Sequence, residues 1–331
     1  MAAVVTAEEI MATYEDLAKL EAQFDDVETE TIRYQYNISK DLYVKRAEVI
    51  AKISNFWPLV FEQAPMDIDE FMQPADSAVL LGAIQNFKVE RFEIDTPVEG
   101  GDPRSVSFRF EFSENDHFED KVIEKKFWWR HGKDGSIGYC SEPVEIKWKE
   151  GKDLTNGLLS AAKAAFDEQK AAPKKEGKEK KELGKAAEAL RKKMEDHEGA
   201  VSFFAWFGFV GDYVTAEENA EVVAKKKTGI EFPLEDAEMA DGGDDEDDED
   251  WEDEEDLEIF PNGDDVAMAL ADDLWPNALK YFTHAQEEEG LSDLEFESGD
   301  EEEEEEEEES SAAAKPKQKK HKKACAHGCE H

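Results

Sequence analysis

The chain has 331 residues, 84 of them acidic and 39 basic, for a formal net charge of −45. Residues 241–331 alone hold 35 acidic and 7 basic side chains. An excess of that size repels nucleic acid and anionic membrane surfaces and attracts strongly basic proteins, which argues against direct sequence-specific nucleic-acid binding and against a membrane partner.

The first element is a run from Glu8 to Phe56 with no proline or glycine. Leu17, Leu20, Phe24, Val27, Thr31, Tyr34 and Ile38 follow one another at alternating threes and fours, the spacing that keeps one stripe on one side of a helix. The stripe continues through Leu42, Val49, Ile53 and Phe56, with Lys45 as a polar interruption. Pro58 is expected to stop the helix, since proline disfavours helical geometry at the residue before it. Such a helix would be roughly 70 Å long, more than one small domain covers. Pairing with a second copy of the chain is therefore expected in preference to a helix lying on its own domain.

A proline-broken connector, Leu59 to Gln73, and a short helical piece, Ala75 to Leu81, lead into strands. The first is expected over Ala83 to Ile94. Val106, Phe108, Phe110 and Phe112 alternate with polar residues and define a second strand with one aromatic face. A turn at Asn115–Asp116 precedes a third, Val122 to Arg130, with Ile123, Phe127 and Trp129 on one side. After turn-rich residues 131–138, Val144, Ile146 and Trp148 alternate as a fourth. Short connections between consecutive strands favour an antiparallel meander with one apolar face. Covering material is expected from a helix over Leu154 to Phe166, an apolar plug at Phe203 to Val210, and an amphipathic helix over Asp264 to Phe282. That last helix carries Val266, Leu270, Leu274, Leu279 and Phe282, with a kink or restart at Pro276.

Low-complexity segments separate these elements. Lys170 to Lys193 reads as a solvated helix or a disordered loop. Asp244 to Asp256 is acidic at every position except Trp251, and Glu301 to Glu309 is unbroken glutamate. Charge blocks bury no apolar surface and are expected to stay disordered when unbound. A basic run, Lys315 to Lys323, follows and reads as a nuclear-import signal or a charge-balancing tail.

No Walker loop, dinucleotide-binding glycine pattern, zinc-protease motif or nucleophile elbow is present in the sequence, so no catalytic residues, no enzyme activity and no cofactor are expected. Three cysteines, Cys140, Cys325 and Cys329, make no disulfide framework, which suits a reducing compartment. The first residues lack the basic start and apolar run of a signal peptide, and a soluble intracellular protein is expected. Cys325, His327, Cys329 and His331 are metal-capable, but their spacing is not that of a structural zinc module, and no metal site is assigned.

Five segments together resemble the nucleosome assembly protein (NAP) family, and within it the SET, or template-activating-factor, branch with its fungal histone-acetyltransferase-cofactor type. They are Ile53–Trp57 (ISNFW), Asn115–Phe127 (NDHFEDKVIEKKF), Val144–Thr155 (VEIKWKEGKDLT), Ser202–Phe207 (SFFAWF) and Leu274–Phe282 (LWPNALKYF). The resemblance implies an α+β chain in three parts. A dimerisation helix spans residues 1–58. An α/β "earmuff" domain spans 59–285, with a four-stranded antiparallel sheet covered by helices and disordered insertions near 168–198 and 225–260. A disordered tail, acidic then basic, spans 286–331.

It also implies a nuclear, homodimeric histone chaperone that binds core histones and assists nucleosome assembly. The alternative is a regulatory subunit, as cofactor of a histone acetyltransferase or inhibitor of a protein phosphatase. Carried onto this chain, the histone contacts are Asp264, Asp265, Asp272 and Asp273, with Asp212, Glu217, Glu218 and Glu221 beside them. Dimerisation falls to Leu17, Leu20, Phe24, Val27, Tyr34, Ile38, Leu42 and Val49.

Overall fold

Helix α1 spans Ala7–Ile50, most of the run that lacks proline and glycine. The computed structural model describes residues 7–171, 184–227 and 257–288. Helix α1 ends before the proline: the chain breaks at residues 51–55, where Asn55 takes a left-handed φ of 57°. Pro58 falls instead in the first turn of α2 (Phe56–Glu62). There the missing N–H has no intrahelical acceptor to lose, so the proline sits inside the start of a helix and not after the end of one.

Helix α1 carries two stripes. Thr29, Ile32, Tyr36, Ser39, Tyr43, Arg46 and Ile50, spaced three and four apart, are half-buried or buried. Along this side Arg104 donates to Asp25 (2.7 Å), Tyr36 donates to Asp95, and Lys40 donates to Asp95 (3.3 Å). The apolar stripe lies elsewhere on the helix: Leu17, Leu20, Phe24, Val27, Tyr34, Ile38, Leu42 and Val49 are all exposed, Phe24 and Tyr34 by 68% and 69%. The helix thus does lie on its own domain, but through the side that the apolar spacing did not mark.

The connector holds a short helix α3 (Met66–Asp69), followed by α4 (Pro74–Ala83). Asp76 is fully buried; its carboxylate accepts from the backbone N–H groups of Gln73 (3.0 Å) and Phe203 (2.8 Å) and from the Ser202 hydroxyl (2.5 Å). One side chain therefore caps α4 and anchors the entry to the apolar plug.

Strands β1 (Ile84–Glu90), β2 (Val106–Phe112), β3 (Val122–His131) and β4 (Ile137–Ser141) form one antiparallel meander in chain order. Two strand expectations are corrected. Strand β1 stops at Glu90, and Phe92–Asp95 form a helical turn, α5. The fourth strand is β4, not Val144 to Trp148; that later segment lies outside the ladder, held by an isolated bridge between Phe118 and Trp148, by the Val144 N–H donating to the Phe207 carbonyl (2.8 Å) and by the Lys147 N–H donating to Asp120 (2.6 Å). Alternation there reports an apolar side of a covering loop, and Pro143 before it has no N–H to give a ladder.

Val106, Phe108, Phe110 and Phe112 are buried as their alternation requires. The cover comes from α6 (Leu158–Ala171) and from a 3-10 helix over Phe203–Gly208, all six of whose residues are buried. Trp206 stacks on Phe127 with ring centroids 5.3 Å apart and donates to the Gly263 carbonyl (2.8 Å). Gly263 must lack a side chain, because a Cβ there would fall 2.3 Å from the Phe209 ring. A lysine also belongs to this core: Lys125 is fully buried, and its ammonium donates to the carbonyls of Glu142, Phe207 and Phe209 (3.2, 3.1 and 2.9 Å).

Residues 185–195, inside the stretch expected to be disordered, form helix α7 (Lys185–Glu195) with Leu190 buried. Helix α8 (Ala216–Lys227) leads to residues outside the described set, which include both acidic blocks, the basic run and the Cys/His tail. The expected last helix is three pieces: α9 (Gly263–Met268), a π-helical segment (Ala269–Leu274), and, after a turn at Pro276, α10 over residues 278–288. In α10 Ala278 and Phe282 are buried, whereas Leu279, expected inside, is 63% exposed. Leu270, Leu274, Ala278 and Phe282 follow one another at fours along the buried side, and Leu279 falls one residue off it. The chain divides into two compact units, Met1–Phe282 and Thr283–His331, the second described only over residues 283–288.

A carboxylate-lined cleft as the candidate functional site

Helix α3 and the α9–π segment enclose a cleft of about 460 Å³ lined by Asp67, Glu70, Phe71, Asn262, Asp265, Met268, Ala269, Asp272 and Asp273. Five carboxylates thus line it together with the apolar Phe71, Met268 and Ala269. The α9 residues reach it because 265, 268, 269, 272 and 273 recur every three or four positions on one helical face. The opposite side, with Val266, Ala267, Leu270 and Leu274, is buried in the core.

The carboxylates are not equivalent. Asp272 accepts from Arg91 Nη2 at 2.7 Å. Asp273 accepts from the Asn277 amide and the Tyr281 hydroxyl, both at 2.8 Å. Burial, then this carboxylate, pushes the Tyr281 hydroxyl up to about 12, so it remains a donor at neutral pH. Asp67, Glu70 and Asp265 are exposed and form no ion pair among the described residues. No described group of three or more His, Cys, Asp or Glu side chains stands close enough to hold a metal ion. Carboxylates spread over a cleft of this size suit several separate cationic side chains.

Of the expected histone contacts, the structure brings Asp265, Asp272 and Asp273 together. Asp264, one residue away, is half-buried outside the cleft lining, and burial and its neighbours Asp265 and Asp212 raise its carboxyl above the usual range. Glu217, Glu218 and Glu221 lie on α8. Glu218 accepts from the Lys133 N–H (3.3 Å) and Glu221 pairs with the Lys133 ammonium (2.8 Å), so they tie α8 to the β3–β4 turn and do not line the cleft. Asp67 and Glu70 were missed. The signal was the acidic run Asp67-Ile-Asp-Glu70 in a connector otherwise read only for its prolines.

With the fold and cleft in view, comparison with known proteins is decisive at the level of family. Residues 4–285 match the nucleosome assembly protein (NAP) family, and the chain belongs to it. Among relatives, a Schizosaccharomyces pombe protein named for nucleosome assembly is 33% identical over 156 residues, 44% of this chain and 61% of that protein, so the match spans under two thirds of its length. Vacuolar protein sorting-associated protein 75 of Saccharomyces cerevisiae is 26% identical over 285 residues, 86% of this chain and 81% of that one. Protein SET of Drosophila melanogaster is 33% identical over 135 residues, covering 39% and 46% of the two chains. A crystal structure of Vps75 shares the fold, with a TM-score of 0.50 at 24% identity over 83% of this chain and 99% of that one.

Proposed function

We infer that the protein is a non-enzymatic histone chaperone, nuclear and active as a homodimer. It takes the lysine- and arginine-rich surfaces of core histones onto the cleft between α3 and the α9–π segment and keeps them from aggregating with DNA until they are placed. The observation that carries this reading is the convergence of five carboxylates on one partly apolar cleft, in a chain of the nucleosome assembly protein family. Exposed carboxylates exchange partners readily, so histones held there yield to the higher charge density of DNA. The exposed apolar stripe of α1 supports self-association, because eight large side chains left in water over a helix about 66 Å long favour pairing with their own copy.

Purified core histones titrated into the protein at moderate salt test the reading. Complex formation below micromolar concentration is expected, with suppression of histone–DNA precipitation in a second assay. Absence of a complex at micromolar concentration overturns it.

A further inference from the structure

We propose that Arg46, on the long helix, is a positioning residue for the carboxylate cleft, making the self-association helix a working part of the binding site and not only a tether. This rests on the histone reading above and assigns the cleft a structural control that it does not itself contain.

Asp272 and Asp273 sit in the π-helical segment, whose wide turn is closed by the Trp275 N–H donating to the Leu270 carbonyl at 3.0 Å. A π turn is a rare alternative to α-helix and persists where its surroundings hold it. The hold comes from α1. Arg46 Nη1 donates to the carbonyls of Trp275 (2.7 Å) and Pro276 (3.4 Å), just where the helical segment ends and its carbonyls need donors. A guanidinium at this end also complements the negative pole of the helix.

The guanidinium has little freedom. It lies 4.6 Å from the Tyr43 ring centroid and 4.3 Å from that of Trp275, and Trp275 in turn stacks on Trp57 at 5.6 Å with the planes 2° apart. Its second terminal nitrogen, Nη2, is buried without a hydrogen-bond partner among the described residues. A buried unsatisfied donor costs stability, so this arginine is held here for what Nη1 fixes and not for net hydrogen bonding. If the carbonyls of Trp275 and Pro276 are released, the segment is free to relax towards α-helical bonding. Each residue of register change rotates a side chain by about 100°, which carries Asp272 and Asp273 away from Asp265 and Glu70. Leu42 and Val49 of the exposed stripe stand four residues before and three residues after Arg46, one helical turn away on the adjoining face, so a second copy bound there stiffens the segment that bears Arg46.

The test is a double-mutant cycle on the full chain, with purified core histones as the probe at fixed salt. Arg46→Gln is expected to weaken binding about five- to tenfold in the native background and to have no further effect in an Asp272→Asn/Asp273→Asn background, because coupled residues are non-additive. Arg46→Lys should recover little, since an ammonium lacks the flat fork that stacks between two rings while donating. Sedimentation and thermal melting report dimer and fold; should Arg46→Gln melt early, the Arg46→Lys cycle carries the same comparison. Equal weakening in both backgrounds marks a general structural role and overturns the proposal, as does no weakening at all. Failure of the native protein to bind histones overturns the functional reading, and this proposal with it. Normal binding by the native protein and loss only with the aspartate pair overturns the proposal alone.

Discussion

Arg91 donates from Nη2 to Asp272 at 2.7 Å while its Nη1 is held by the carbonyls of Pro103 and Arg104, at 3.3 and 3.1 Å. The cleft thus contains a counter-ion of its own, presented from the end of strand β1 and fixed by backbone acceptors. The Asp272 side chain is 59% exposed, so solvent screens the pair. Pairs of this kind contribute about 0–1 kcal/mol.

Replacement by methionine, Arg91→Met, frees Asp272 for a ligand cation. Histone affinity is expected to rise by up to about fivefold, the equivalent of the lost pair, with a steeper decline in salt. Global stability should fall by about 1–2 kcal/mol through the two carbonyls left without their donor. Isothermal titration at two salt concentrations and urea melting check these effects. Weaker binding by a folded variant contradicts the counter-ion role.

The exposed stripe makes its own prediction. Phe24 and Val27, 68% and 65% exposed, stand near the middle of α1. Phe24→Glu with Val27→Glu should give monomers by analytical sedimentation with an unchanged thermal melt of the sheet domain. Loss of two-site engagement should weaken histone binding by an order of magnitude or more. A dimeric variant contradicts the assigned stripe.

Lys125 gives a pH signature. Burial lowers its ammonium to about 7, with Glu258 and Glu142 opposing the shift. In the unfolded chain a lysine titrates near 10.4. Between those values the unfolded state holds a proton that the folded state has given up, so stability rises with pH across the window and levels off above it. Against Lys125→Met, the native protein should gain stability from pH 7 to pH 10 in urea melts. The variant should also be less stable at the upper end, since the neutral amine still brings two N–H donors to the carbonyls of Glu142, Phe207 and Phe209 and methionine brings none. Parallel pH profiles contradict the assignment.

Asp76 joins α4 to the 3-10 helix through three donors. Asp76→Ala leaves the half-buried N–H of Gln73 and the buried N–H of Phe203 without their acceptor and should cost about 2–5 kcal/mol. Asp76→Asn, which keeps one acceptor, should cost less. Equilibrium urea unfolding ranks them; equal losses contradict the capping account.

The legible parts of this fold were those with a period. Helix α1 and the aromatic face of β2 were readable because spacing alone states which side is apolar. Position 125 was not, since a lysine between Ile123 and Phe127 looks like an exposed interruption until the three carbonyls that surround it are known. Val144, Ile146 and Trp148 misled for the converse reason: a covering loop can alternate without pairing. At the cleft, Asp265, Asp272 and Asp273 were accessible through the family pattern, whereas their neighbour Asp264 is half-buried outside the lining. Asp67 and Glu70 complete the cleft from nearly two hundred residues away in the chain, a relation that only tertiary packing creates.

The central claim is that histones are held at the cleft and not merely by the acidic blocks. Zero-length carbodiimide crosslinking of the full chain with core histones, read by mass spectrometry, tests it most directly, because it joins a carboxylate only to an amine in contact with it. Links from Asp67, Glu70 and Asp265 to histone lysines are predicted, and their loss in the Asp272→Asn/Asp273→Asn variant. Links confined to residues 244–256 and 301–309 would contradict the account.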